Sequence, residues 1–171
     1  MASLHYRFEQ LDTQLTNWMA RYSIVLLRIG LGLIFFWFGL LKFFPQLSPA
    51  QELATRTMSM LSFGLMTPAV SLPLLAAWEC LIGLGLISGR WMRATLLLLV
   101  LQMMGTVTPL FLFPSESFSR IPFAPTLEGQ YIIKNIVLVC AGLVIGATVR
   151  GGHLVIEGDD NVSVARADKV V

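Results

Sequence analysis

IVLLRIGLGLIFFWFGLLKFF, residues 24–44, decides the fold. Only Arg28 and Lys42 carry charge in it, and Pro45 stops it. A bilayer core about 30 Å thick takes about 20 largely apolar residues per crossing helix, so this run is long enough to span and too long for a strand of a soluble fold. Three further segments match it: 69–88, stopped by Gly89 and Arg90; 94–113, stopped by Pro114; and 131–148, ended by Arg150-Gly151-Gly152. The alternating ten-residue segments of a lipid-facing β-barrel are absent. Residues 1–22 hold Glu9, Asp12 and Arg21, which is unlike a cleaved signal peptide.

Composition agrees. The 171 residues are 56% hydrophobic and 13% charged, whereas soluble domains run at about 45–50% and about 25%. So small a chain cannot hide that excess inside a globule. Disorder, a secreted disulfide scaffold and a nucleic-acid partner are disfavoured, the last because net charge is only +2 with no basic block. The expected fold is all-α: an integral membrane four-helix up-down bundle with the lipid bilayer as its solvent. Residues 1–22 read as a cytoplasmic amphipathic segment, 23–148 as the membrane domain and 149–171 as a polar cytoplasmic tail, with a strand pair around Gly158-Asp159-Asp160-Asn161 or no fixed structure.

Flanking cations set the expected orientation. Arg7, Arg21, Arg90, Arg93, Arg150, Arg166 and Lys169 flank one side, and Arg56 and Arg120 the other, seven against two. The positive-inside rule then puts both termini in the cytoplasm of a multi-pass protein. In the first outer loop, Ser48-Pro49-Ala50-Gln51 has the form of a capped helix start. The short helix that follows would turn Leu53, Thr57, Met60 or Leu61, and Gly64 to one side, along the interface or over the bundle mouth. The second outer loop, 114–129, with Pro122, Pro125, Phe118 and Phe123, reads as ordered coil, and Thr126 as the cap of the last span.

Four ionisable residues lie within the spans: Arg28, Lys42, Glu79 and Lys134. Each is costly in lipid unless it faces the bundle interior, a partner or water. Helical spacing groups them with small and polar residues. Arg28, Gly32, Phe35, Gly39 and Lys42 form one stripe, and Ala76, Glu79, Gly83, Leu86 and Arg90 another. Thr95, Gln102, Thr106 and Pro109 mark the third span; Asn135, Gly142 and Gly146 mark the fourth. Gly32, Gly39, Gly83, Gly142 and Gly146 are therefore expected at helix contacts. Side chains lean toward the amino end of their own helix. Glu79 then leans outward and Lys42 inward, which makes Lys42 the first expected partner and Arg28 the second. Two alternatives stand beside this: each cation snorkelling to an interface, and a neutral Glu79 bonded to Gln102 or Thr106.

No metal-ligand spacing, phosphate loop or catalytic motif is found, and His5 and His153 lie outside the spans. Cys80 and Cys140 lack a Cys-x-x-Cys spacing and read as small buried apolar residues. Met103 and Met104 read as packing residues. Trp37 and Trp78 read first as core and second as platforms for a planar ligand.

Four runs carry a resemblance: LLRIGLGLIFFWFGLLKFFP (26–45), WECLIGLGLISGRW (78–91), TVTPLFLFPSESF (106–118) and EGQYIIKNIVLVCAGLVI (128–145). Over residues 23–148 the chain resembles DoxX-like membrane proteins, most of all the subgroup containing reactive-chlorine-resistance inner-membrane proteins. The matching positions include Arg28, Gly39, Lys42, Phe43, Pro45, Glu79, Gly83, Thr108, Pro109, Glu116, Gly129 and Lys134. The first outer loop is shorter than in that subgroup. The resemblance implies a bacterial inner-membrane protein of four helices, whose relatives are associated with quinone-linked sulfur oxidation, oxidant resistance or membrane assembly. The leading expectation is an accessory, non-catalytic component of redox or oxidant-stress homeostasis. It would hold a quinone or another small amphipathic molecule between spans one, two and four, with Lys42, Lys134 and Asn135 as donors, Glu79 orienting them, and Thr106 or Thr108 on the wall. A membrane redox partner protein or a homo-oligomer fits that setting. The alternatives are a membrane scaffold or assembly factor and a proton-coupled carrier.

Overall fold

The computed structural model describes residues 2–44, 47 and 51–152. Pro45, the Ser48-Pro49-Ala50 helix start, His153, Arg166, Lys169 and the turn at 158–161 lie outside the described residues. The chain runs α1 (Ala2–Leu41), α2 (Gln51–Leu61), α3 (Pro68–Ser88), α4 (Met92–Val107), α5 (Pro109–Leu112), α6 (Pro114–Ser117), β1 (Phe118–Arg120), β2 (Ala124–Pro125) and α7 (Leu127–Thr148). Four helical stretches are long and apolar enough to cross a membrane: α1, α3, α4 continued by α5, and α7.

These four pack as a ring, α1 on α3, α3 on α4, α4 on α7 and α7 back on α1. Each contributes two buried residues to one core: Leu31 and Phe35, Ile82 and Leu86, Leu99 and Met103, Ala141 and Ile145. The outer wall is equally apolar. Leu81, Leu97, Ile136 and Leu143 are each at least 60% exposed, an arrangement that water penalises and acyl chains accept. The protein is an all-α membrane helical bundle. Trp37 belongs to that wall, at 68% exposed, and not to the core expected for it. Met104 and Cys140 are exposed as well, while Met103 is buried. Trp78 does pack on the core, and its indole N–H donates to the Leu98 carbonyl at 3.1 Å.

No helix break separates the amino-terminal segment from the first span. α1 has 40 residues, about 60 Å at 1.5 Å per residue, twice the thickness of a bilayer core. From residue 2 to residue 29 there is neither glycine nor proline to end it.

The α1–α2 and α5–α7 connections gather at one end of the bundle, here the loop end; the α3–α4 turn and the end of α7 mark the opposite, arginine end. At the loop end, Pro109 closes α4 because it has no N–H for the helix ladder, and the Gly105 carbonyl accepts instead from Thr108 N at 3.3 Å and Thr108 Oγ1 at 2.6 Å. α2 rests on α3 and α5 as a cover over the mouth. It buries Leu53, Thr55 and Thr57, whose hydroxyls bond the helix's own carbonyls and so present methyl groups. Met60, Leu61 and Gly64 are exposed, so the expected inward face stops at Thr57; the later turn runs past the bundle wall. Residues 114–129 are not coil throughout, since α6 and a hairpin pairing Phe118 with Pro125 and Arg120 with Ala124 order them. Thr126 caps α7, its Oγ1 accepting from Gly129 N at 3.2 Å.

Candidate functional site

The first and third helices, α1 and α3, meet backbone against backbone. A Cβ on Gly83 of α3 would sit 2.5 Å from the Phe36 nitrogen of α1, and one on Gly39 would sit 2.9 Å from Cys80 N and from Glu79 Cβ. A Cβ on Gly32 would meet Gly83 O and Ile87 N at 3.0 Å. Helices approach this closely in lipid where small residues face one another. Gly142 and Gly146 have a different setting. They face Leu99 and Leu96 side chains of α4, with more room.

That crossing brings two stripes together. Gly32, Phe35 and Gly39 are buried on α1; Ala76, Glu79, Gly83 and Leu86 are buried on α3. Lys42, the residue after α1 ends, then meets Glu79: Nζ donates to Oε2 at 2.6 Å, with the two side chains 14% and 11% exposed. From α4, Gln102 Nε2 donates to Glu79 Oε1 at 3.0 Å. Both carboxylate oxygens accept, from two segments besides their own helix. One acid therefore ties α1, α3 and α4 together. Lys42 Nζ also donates to the Phe38 carbonyl at 3.4 Å, and the Cys80 thiol lies 3.9 Å from the Phe36 carbonyl.

The other expected members stand apart. Thr106 and Thr108 are partly buried, but their hydroxyls donate to the carbonyls of Gln102 and Gly105 on the same helix. Thr106 thus reaches the cluster only through the Gln102 backbone. Lys134 is exposed on α7, outside the cluster. Asn135 beside it is partly buried. Arg28 leans to the arginine end and packs over Gly89, away from Glu79. The cluster holds one cation and one anion, not the three cations that an inward-facing Arg28 and Lys134 would have brought.

Sequence reasoning gave no role to the pair that fastens the cover. Arg56 of α2 grips both oxygens of Glu116 of α6, at 2.8 and 3.0 Å, and its guanidinium lies 4.7 Å from the Phe113 ring centre. Both bonds come from one nitrogen, Arg56 Nη1, which straddles the two carboxylate oxygens. The available signal was a single cation in each outer loop, which singles out Arg56 but not its partner 60 residues away.

Comparison with known proteins adds the family. No curated protein and no solved structure matches the chain. The DoxX family model matches residues 23–113, which include Lys42, Arg56, Glu79 and Gln102 but not Glu116. With more than half of its length matched, and three long apolar helices with the buried ion pair inside that match, this chain belongs to the DoxX family of membrane proteins.

Proposed function

We propose that the protein is an accessory, non-catalytic component of redox or oxidant-stress homeostasis in a bacterial cytoplasmic membrane, holding a quinone-like or other small amphipathic ligand beside Lys42. The observation that carries this reading is the hydrogen-bonding capacity of that ammonium. It has three N–H groups; Glu79 and the Phe38 carbonyl take two, which leaves one for a carbonyl oxygen of a lipid-soluble partner. Glu79 orients the donor, and the exposed Phe43 and Phe44 next to it offer apolar surface for a ring or chain. A quinone would bring the redox chemistry, and the chain would supply binding and orientation. The seven-to-two distribution of cations supports a loop end outside the cell and both termini inside. Resemblance to the reactive-chlorine-resistance subgroup supports the oxidant-stress setting.

The test is solvent extraction of the protein purified in mild detergent, with quinone quantified by chromatography. The wild type is expected to carry quinone, and Lys42→Gln to carry at least about tenfold less while its helical circular dichroism is kept. Absence of quinone from the wild type, or equal amounts in both, overturns the reading.

One observation favours a second reading. Both Glu79 oxygens are satisfied within the chain, as suits a membrane scaffold or assembly factor in which the carboxylate pins helices for a protein partner. Native mass spectrometry separates the two, since a retained small molecule supports the first and a stoichiometric protein partner the second.

A further inference from the structure

At the arginine end, α1, the α3–α4 turn, the start of α4 and the end of α7 line an open cavity of about 620 Å³. Its wall divides by chemistry. Ile24, Val25 and Ile145 are apolar, whereas Arg28, Arg93 and Thr148 are polar. Arg28 is the most informative of these. Among the described residues, the side-chain polar atoms buried without a hydrogen-bond partner are Arg28 Nε and Ser23 Oγ, five positions apart on α1. A buried guanidinium N–H left unpaired is costly. The group is nevertheless held in place: it lies over Gly89, where a Cβ would collide with it and where φ is +68°.

Among the described residues, the surroundings add positive charge and no carboxylate. The α4 amino terminus opens into the same cavity, with Trp91 as an N-cap that gives no side-chain bond and no acidic residue in the first turn. Arg93 stands in that turn, the wrong sign for the positive end of a helix dipole. Arg90 and Arg150 lie at the same end. The described acidic residues are elsewhere: Glu79 sits mid-span, Glu52, Glu116 and Glu128 sit at the loop end, and Glu9 and Asp12 sit at least four turns up α1 from Arg28. Among the described residues, none places a carboxylate in this cavity to balance it.

We propose that the cavity holds the phosphate of an anionic amphiphile, with the oxyanion between Arg28, Arg93 and the first N–H groups of α4, and the glycerol and acyl carbons along Ile24, Val25 and Ile145. A diester phosphate in a lipid and free inorganic phosphate share the oxyanion; the apolar half of the wall selects the lipid. This site is distinct from the Lys42–Glu79 cluster and independent of the function proposed for it.

The test is native mass spectrometry of the full-length, delipidated protein titrated with phosphatidylglycerol, phosphatidylcholine, or inorganic phosphate. Phosphatidylglycerol is expected to remain bound in preference to phosphatidylcholine. Arg28→Gln and Arg93→Gln should each weaken it about tenfold, while Arg90→Gln, which removes an equal charge beside the cavity, should change it less than threefold. Arg93 is exposed, so its variant keeps the test valid if the Arg28 variant fails to fold. Displacement of the lipid by millimolar inorganic phosphate would support the oxyanion site and make free phosphate its ligand; failure to displace supports the lipid. Equal retention of the two lipids, or equal losses in the Arg90 and Arg93 variants, overturns the proposal.

Discussion

The amide nitrogen of Phe36 occupies the space that a side chain on Gly83 would need, so α1 and α3 meet backbone against backbone. This contact sets the distance at which every other α1–α3 pair meets, including Lys42 with Glu79 four residues nearer the loop end on α3.

Gly83→Leu is therefore expected to force the two helices apart. Overpacking of this kind costs about 1–3 kcal/mol, and it should appear as a lower thermal midpoint in detergent by fluorescence-detected size exclusion. Gly30→Ala is the control. Nothing lies within 4 Å of a Cβ at that position, so the replacement should be neutral or stabilise by up to about 1 kcal/mol.

Truncating one member of the buried pair leaves the other uncompensated. Glu79→Leu and Lys42→Met should each destabilise the bundle by about 3–5 kcal/mol, and the double variant Glu79→Leu/Lys42→Met should be markedly less damaged than either single. Unfolding of the two singles and the double forms a cycle that measures the coupling. A double variant as unstable as the sum of the singles would show that the two residues act independently.

Arg56 and Glu116 are 47% and 43% exposed, and solvent screens such a pair. Arg56→Ala should cost at most about 1 kcal/mol at low salt and less at high salt. Its clearer effect should be faster amide exchange and proteolysis in α2, because the cover has lost its tie to α6.

Thr126→Ala removes both the cap on α7 and the bond from Thr126 Oγ1 to the Glu116 carbonyl at 2.6 Å. A loss of about 1 kcal/mol is expected, with Thr126→Ser retaining most of the stability. Thermal unfolding of the three proteins side by side checks it.

The spans were legible because length and apolarity alone decide what a bilayer can hold. The Lys42–Glu79 pair was legible too, since the lean of side chains on antiparallel helices gives each residue a direction as well as a face. Lys134 shows where that reasoning stops. Stripe and depth are readable from sequence, but the rotation of α7 about its axis is set by Ala141 and Ile145 packing into the shared core, which turns Lys134 outward. The continuity of α1 was readable and was obscured by the change of polarity near residue 22: solvent changes there, but no residue breaks the helix. The α6 turn and the hairpin depend on contacts between distant segments, such as Thr126 N with Ser117 O at 3.0 Å, which local patterns do not reveal.

The clamp between Arg56 and Glu116 also bears on traffic. With α2 bolted across the top of the ring at α6, the straight route from water down to Glu79 is roofed over. A visitor to that depth would travel within the membrane and slip between neighbouring helices from the side, which favours molecules already dissolved in the oily layer over anything arriving from the aqueous phase.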